Sequence, residues 1–290
     1  MAELLRGKPA ADALAEEVRA RVDVLRARGI EPLLAIVRVG AREDDLAYER
    51  NARKRCEGLG IAVRSIVLGP HCTQQQAEAA IAAVNADPAI HGCLLLRPLP
   101  PHLDEGALGA LLDPAKDVDG ITEGSLYGAF AGAPRGFAPC TAEGCLRLLD
   151  HYGVALEGAR VTVVGRSLVI GRPVAALLLG RHATVTIAHS RTADLAAACR
   201  GADIVIAAAG SARLLGAAHA APGQCIVDVG MNWDEAAQAF SGDVDFEAVE
   251  PVVAAITPVP GGVGALTTAV LARHTVEAAE QAAAASGRSL

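Results

Sequence analysis

The chain has 290 residues, enough for two domains. Apolar residues make up 52%, charged residues 20% and aromatic residues only 3%, which excludes a disordered chain and asks for a core of Ala, Val, Leu and Ile, as in a parallel sheet covered by helices. The formal net charge of −7 argues against a general nucleic-acid surface, because affinity for phosphate backbones comes from Lys and Arg.

An amphipathic helix over 12–28 carries Leu14, Val18, Val22 and Leu25 on one stripe. A buried strand over 33–39, closed by Gly40, precedes an Arg- and Lys-rich helix over 46–59. Residues 62–68 alternate as a strand, and a helix over 73–85 has Thr73 as its N-cap. A third strand over 92–96 runs into Pro98, Pro100 and Pro101. This alternation implies a parallel α/β layer. From Asp113-Pro114 to Pro139 the sequence is Gly-rich and irregular and marks the domain boundary, before a helix over 142–151. The second half reads as strand 161–164, helix 173–179, strand 184–188, helix 192–200, strand 204–208 and strand 225–229, a compact nucleotide-binding half. A final helix over 267–285 is expected to pack back on the first domain. The domains expected are therefore 1–138, completed by 267–290, and 139–266.

Seven cysteines (Cys56, Cys72, Cys93, Cys140, Cys145, Cys199 and Cys225) are scattered, odd in number and free of any Cys-x-x-Cys pair. They read as small buried residues of a reduced cytoplasmic protein, neither a zinc cage nor a disulfide frame. The histidines show no i, i+4 metal pair, and no metal is expected. Residues 3–8 are charged and lack the apolar core of a signal peptide, and no apolar run reaches membrane-spanning length, so no membrane partner is expected.

Val161 to Pro173 is the most informative stretch. A Val-rich strand ends at Gly165-Arg166-Ser167, giving Gly-x-Ser-x-x-x-Gly through Gly171, and an Ala/Leu-rich helical run over 174–179 follows. That order presents free backbone N–H groups to a phosphate and predicts a dinucleotide cofactor, with a ligand-free βα turn as the alternative. Ser190 and Arg191 follow the second strand, where such a site reads the ribose 2′ position. An acid there favours NAD, whereas Ser-Arg suits the 2′-phosphate of NADP. The bland alternative is that Arg166 and Arg191 are ordinary surface arginines.

Further segments follow in order: Pro114-Ala-Lys116-Asp117-Val118-Asp119-Gly120, Pro139-Cys140-Thr141, His189-Ser190-Arg191-Thr192, Asp228-Val229-Gly230-Met231-Asn232, Gly242-Asp243-Val244-Asp245-Phe246, and Ile256-Thr257-Pro258-Val259-Pro260-Gly261-Gly262-Val263-Gly264. With the glycine turn they give a chain that resembles the bifunctional methylenetetrahydrofolate dehydrogenase/cyclohydrolase (FolD) family over nearly its whole length. The resemblance implies an α/β fold with two domains flanking a cleft, the second a Rossmann-type parallel sheet, and a homodimer. It implies oxidation of 5,10-methylenetetrahydrofolate with NADP, then hydration and opening of the methenyl ring. By the same resemblance Met231 lies at the nicotinamide end, and Pro258, Gly261 and Gly262 belong to the substrate site.

The catalytic positions depart from the family pattern. The family carries a Tyr that packs on the pterin and, four residues later, a Lys that acts in proton transfer. Here Tyr48 is present and Ala52 takes the Lys position. The Gln that contacts that Lys is replaced by Leu96 in Leu95-Leu96-Arg97-Pro98-Leu99-Pro100, whereas the acid of the pterin site is retained as Asp119. The segment after Gly120 is shortened, and Ala265 stands where the family has Pro. Hydride transfer needs positioning but no general base, whereas ring hydrolysis needs proton shuttling. Dehydrogenase chemistry is thus expected to survive with cyclohydrolase activity impaired or absent. Arg55, seven residues beyond Tyr48, and Arg97 are the cations that could approach the altered site, although an arginine is a poor base. Two other readings stay open: an imine or iminium reductase acting on a cyclic imine instead of a reduced folate, and a non-catalytic NADP-binding paralogue.

Overall fold

A computed structural model describes residues 1–235 and 238–287. The last three residues of the expected 267–290 segment lie outside the described residues. In chain order the helices and strands are β1 (Glu3–Leu4), α1 (Gly7–Ala27), β2 (Leu33–Val39), α2 (Glu43–Gly58), β3 (Ala62–Leu68), α3 (Gln74–Ala86), β4 (Gly92–Leu95), α4 (Glu105–Leu111), α5 (Glu123–Ala131) and α6 (Cys140–His151). They continue with β5 (Arg160–Val164), α7 (Gly171–Leu179), β6 (Thr184–Ala188), α8 (Leu195–Arg200), β7 (Ile204–Ala207), β8 (Cys225–Asp228), β9 (Asn232–Asp234), β10 (Ala239–Ser241), α9 (Phe246–Val249), β11 (Ala255–Ile256) and α10 (Gly264–Ala285).

The chain divides into two compact units. One holds Ala13–Ala129, Ala133–Cys140 and Thr268–Leu290. Its sheet is parallel, in the order β3-β2-β4. Ala35, Val37 and Val39 of β2 enter one buried cluster with Ile81 and Val84 of α3 and Leu108 of α4. The stripe Leu14, Val18, Val22 and Leu25 of α1 is buried throughout, as its helical spacing requires. Thr73 caps α3 in a reciprocal box: its Oγ1 accepts from Gln76 N (3.2 Å), and Gln76 Oε1 accepts from Thr73 N (2.8 Å). The far end of α3 is closed by Lys116, whose ammonium donates to the carbonyls of Val84, Asn85 and Asp87 at 2.7–2.9 Å.

The stretch read as irregular contains a helix. The Asp117 carboxylate, fully buried, accepts from Ile121 N (3.0 Å) and Thr122 N (2.7 Å), and Thr122 Oγ1 accepts from Ser125 N (3.1 Å). These local side-chain acceptors set up the start of α5 despite its glycines at 124 and 128. They supply what a periodic apolar pattern does not.

The other unit holds Met1–Asp12, Phe130–Gly132 and Thr141–Thr267. Its six strands are all parallel, in the order β6-β5-β7-β8-β11-β1. The expected boundary at 138/139 is corrected at the amino terminus. β1 pairs with β11 in the register Glu3↔Ala255 and Leu4↔Ile256, so the first residues join the sheet built from the late sequence. Two residues are too short a run to show alternation. The antiparallel hairpin of β9 and β10, with Trp233 and Phe240 edge to face at 5.1 Å, is likewise absent from the sequence reading.

Two buried carboxylates brace the strand ends of this unit. Asp228 accepts from the backbone N–H groups of Gly230 (2.9 Å), Asp243 (3.0 Å) and Val244 (2.9 Å). Asp243 accepts from those of Ala209 (2.6 Å), Gly210 (2.9 Å) and Ser211 (2.9 Å) and from Asn232 Nδ2 (2.9 Å). Burial pushes the Asp228 carboxyl up to about 6 against the pull of its backbone donors. Asp228→Asn turns one acceptor oxygen into a donor facing N–H groups. It should cost about 1–3 kcal/mol, read as a lower urea midpoint, while Asn at exposed Asp23 on α1 leaves the midpoint in place.

Candidate active site

In the six-stranded unit the chain leaves β5 to one side for β6 and returns past it to β7. The switch point thus lies at the carboxyl end of β5, where open parallel sheets bind ligands. Gly165 ends that strand at φ +131°, and a Cβ built there would collide with the Ala208 carbonyl oxygen, so only glycine lets the two backbones approach. Ser167 Oγ accepts from Ile170 N (3.1 Å) and Gly171 N (3.4 Å) at the start of α7. With both lone pairs engaged, its O–H is left to donate. Arg166 is exposed, and Arg172 Nε donates to the Arg166 carbonyl (3.1 Å), which brings a second guanidinium to the turn.

At the end of β6, Arg191 N donates to His189 Nδ1 (3.1 Å) and His189 N to Thr192 Oγ1 (2.8 Å). His189 therefore fixes the loop, while Ser190 and Arg191 remain exposed. Met231 follows the β8 end and is 59% exposed. In the loop before α10, Gly261 is exposed and its carbonyl accepts from Gly7 N (2.9 Å), Pro258 is half-buried and Gly262 is buried. An open hydroxyl donor, a helix N-terminus, three exposed arginines and the lack of an acid after β6 fit a phosphorylated dinucleotide.

In the three-stranded unit the candidate groups gather at the carboxyl ends of β2 and β4. Cys93 N donates to the Lys116 carbonyl (2.6 Å), which draws the 116–119 segment alongside β4. Asp119 follows, its side chain 21% exposed. Surrounding protein pushes its carboxyl up to about 6, against the opposing charge of Arg97, with Asp117 adding to the rise. Tyr48, on α2, is half-buried, and burial together with the Asp119 charge holds its hydroxyl well above the usual tyrosine range. The structure therefore brings Tyr48 and Asp119 together. Ala52 is fully buried and Leu96 is 6% exposed.

Two groups here were missed from sequence. The Val118 carbonyl, next to Asp119, accepts from Cys140 Sγ (3.2 Å) and from His274 Nδ1 (2.9 Å), and the His274 ring lies 5.0 Å from that of Phe137. His274 is 1% exposed, four residues beyond fully buried Val270 on α10. A polar residue on the apolar stripe of that helix was the available signal.

The two candidate arginines separate. Arg97 Nη2 stands 4.0 Å from Asp119 Oδ2 and its Nη1 3.5 Å from Glu105 Oε1. Arg55 is half-buried on α2, and its charge bears on the Cys56 thiol.

Known proteins bear on this arrangement. The family model described as the tetrahydrofolate dehydrogenase/cyclohydrolase catalytic domain matches residues 5–119, and the NAD(P)-binding domain of the same family matches residues 139–283. The bifunctional protein FolD of Carboxydothermus hydrogenoformans is 50% identical over 281 residues, 97% of this chain and 98% of the relative. The crystal structure of the bifunctional FolD enzyme from Campylobacter jejuni superposes with a TM-score of 0.94 at 37% identity, covering 97% of this chain and 99% of that one. The Trypanosoma brucei enzyme, crystallised with NADP cofactor and an inhibitor, gives 0.90 at 33% identity and 99% coverage of both chains. The chain belongs to the tetrahydrofolate dehydrogenase/cyclohydrolase family.

Proposed function

We propose that the chain is an NADP-dependent 5,10-methylenetetrahydrofolate dehydrogenase whose cyclohydrolase activity is impaired or absent. The observation that carries the second clause is the pair of apolar, buried side chains at Ala52 and Leu96, in the unit that holds Tyr48 and Asp119. Neither can take up or release a proton, and general acid–base groups speed ring hydrolysis by roughly 10²–10⁴-fold.

In this reading the unit with the three-stranded sheet forms the folate side and the unit with the six-stranded sheet the NADP side. Bound NADP supplies the hydride acceptor. The Gly165–Ser167 turn and the start of α7 receive the pyrophosphate, Ser190 and Arg191 the 2′-phosphate, and Met231 flanks the nicotinamide end. Tyr48 supplies a flat face for the pterin, and Asp119 accepts hydrogen bonds from its N–H groups. A cytoplasmic homodimer is the accompanying proposal. It is supported by the buried free cysteines and by the open edge strand β6, where Thr184, Thr186 and Ile187 are exposed.

Purified protein should form NADPH from methylenetetrahydrofolate yet hydrolyse methenyltetrahydrofolate near the buffer rate. The Ala52→Lys/Leu96→Gln double variant should raise hydrolysis by roughly 10²-fold or more. Fast hydrolysis by the unaltered chain, or oxidation of NADPH by cyclic imines with no folate turnover, overturns the reading.

The raised Asp119 carboxyl gives a pH signature. The carboxylate is the acceptor form, so kcat/KM should fall as pH drops through about 6, well above the usual carboxylate range. Asp119→Asn should remove that acid limb and lower kcat/KM by about 10–100-fold, the worth of a charged hydrogen bond.

Cofactor choice should rest on Arg191. Arg191→Ala is expected to raise KM for NADP by about 10–100-fold and to leave KM for NAD nearly unchanged. Equal losses with both cofactors would remove Arg191 from the 2′-phosphate site.

A further inference from the structure

We propose that Arg97 is a positioning residue for Asp119: its guanidinium, set between the Glu105 and Asp119 carboxylates, orients the Asp119 carboxylate and supplies a fixed positive charge beside it. The kinetic part of this inference rests on the dehydrogenase reading; the electrostatic part does not.

The geometry is specific to the residues at hand. Arg97 follows Leu96 directly after β4, so a cation stands next to a buried apolar position. Its two terminal nitrogens face two carboxylates, at 3.5 Å from Glu105 and 4.0 Å from Asp119. Its Nε is buried with no hydrogen-bond partner, so the guanidinium is held through its terminal nitrogens. Glu105 is itself anchored, since its Oε2 accepts from Leu99 N (3.0 Å). The clamp is thus built onto the backbone that leaves β4.

The other groups around Asp119 oppose its charge or favour it less than Arg97 does. Asp117 is an acid, fully engaged at the start of α5. Tyr48 from α2 and Cys140 from α6 are neutral when protonated. His274 from α10 is committed through Nδ1 to the Val118 carbonyl. Arg97 is the largest charge favouring the ionised form of Asp119. The pair is only 25% and 21% exposed, so water and salt screen it less than a surface pair. A guanidinium does not release its proton at working pH, so it can orient and stabilise the carboxylate but cannot shuttle protons.

The test compares unaltered protein with Arg97→Leu, Arg97→Lys and Glu105→Gln. The Asp119 carboxyl is titrated by carbon NMR in ligand-free protein, its signal identified by loss in Asp119→Asn. Arg97→Leu should move the titration up by about one pH unit, a tenfold change in proton affinity, and Arg97→Lys should restore most of it. Glu105→Gln, which frees the guanidinium from its second acid, should move it down; this arm decides the matter should Arg97→Leu fail to fold. In turnover, Arg97→Leu should shift the acid limb upward by the same amount and raise KM for the folate more than it lowers kcat. An unmoved Asp119 titration in the folded variants overturns the inference. A chain that shows these shifts yet turns over no folate keeps the inference and refutes the proposed activity instead.

Discussion

Parallel strands that end in a loop leave backbone N–H groups without ladder partners, and the buried ones must be given acceptors. In this chain side-chain oxygens meet that need. Asp117 takes the two N–H groups ahead of α5, Ser167 those at the start of α7, Asp228 those of Gly230 and the 243–244 segment, and Asp243 those of the 209–211 turn. The loops that carry the candidate chemistry are stationed by these bonds. Asp119 stands two residues beyond Asp117, Met231 directly after Gly230, and Arg166 directly before Ser167.

Environment, more than residue type, separates the acids. Asp117 and Asp119 are two positions apart in one motif. The first is fully buried with both oxygens on backbone N–H groups; the second keeps a partly open side chain, and its carbonyl neighbour at Val118 is pinned by Cys140 and His274. Lys116, in the same motif, closes a helix through three backbone carbonyls. The family's reaction pair then separates along a physical line. Hydride transfer asks for apposition of the reacting groups and no general base. Attack by water asks for a group that changes protonation during the reaction, and alanine and leucine offer none.

Much of the fold was legible because strand and helix periods differ. The expected strands 33–39, 62–68 and 184–188 coincide with β2, β3 and β6, and the Thr73 cap was readable from the residue type alone. Some of what stayed hidden depends on partners far away in sequence: β1 exists only through β11, and His274 gains meaning only beside the Val118 carbonyl, 156 positions earlier. α5 was missed because it starts on a side-chain acceptor, the nearby Asp117 carboxylate, and not on an apolar period. The glycine turn, Ser190 and Arg191 were legible as a group, because a phosphate site repeats the same local order of elements. Arg172 was not, since its tether to the Arg166 carbonyl is a matter of side-chain reach. The choice between Arg55 and Arg97 likewise needed distances; helical spacing alone favoured neither.

The pairing of β1 with β11 also bears on how the molecule is made. Glu3 and Ala255 are bonded neighbours across nearly the full length of the polypeptide, and α1 leads from that edge into the other unit. A ribosome-bound chain therefore exposes its first strand long before the matching edge has been synthesised. The six-stranded sheet gains its β1 edge only after β11 has emerged, so this pairing is a contact of very long sequence separation that helix formation nearby cannot bring about.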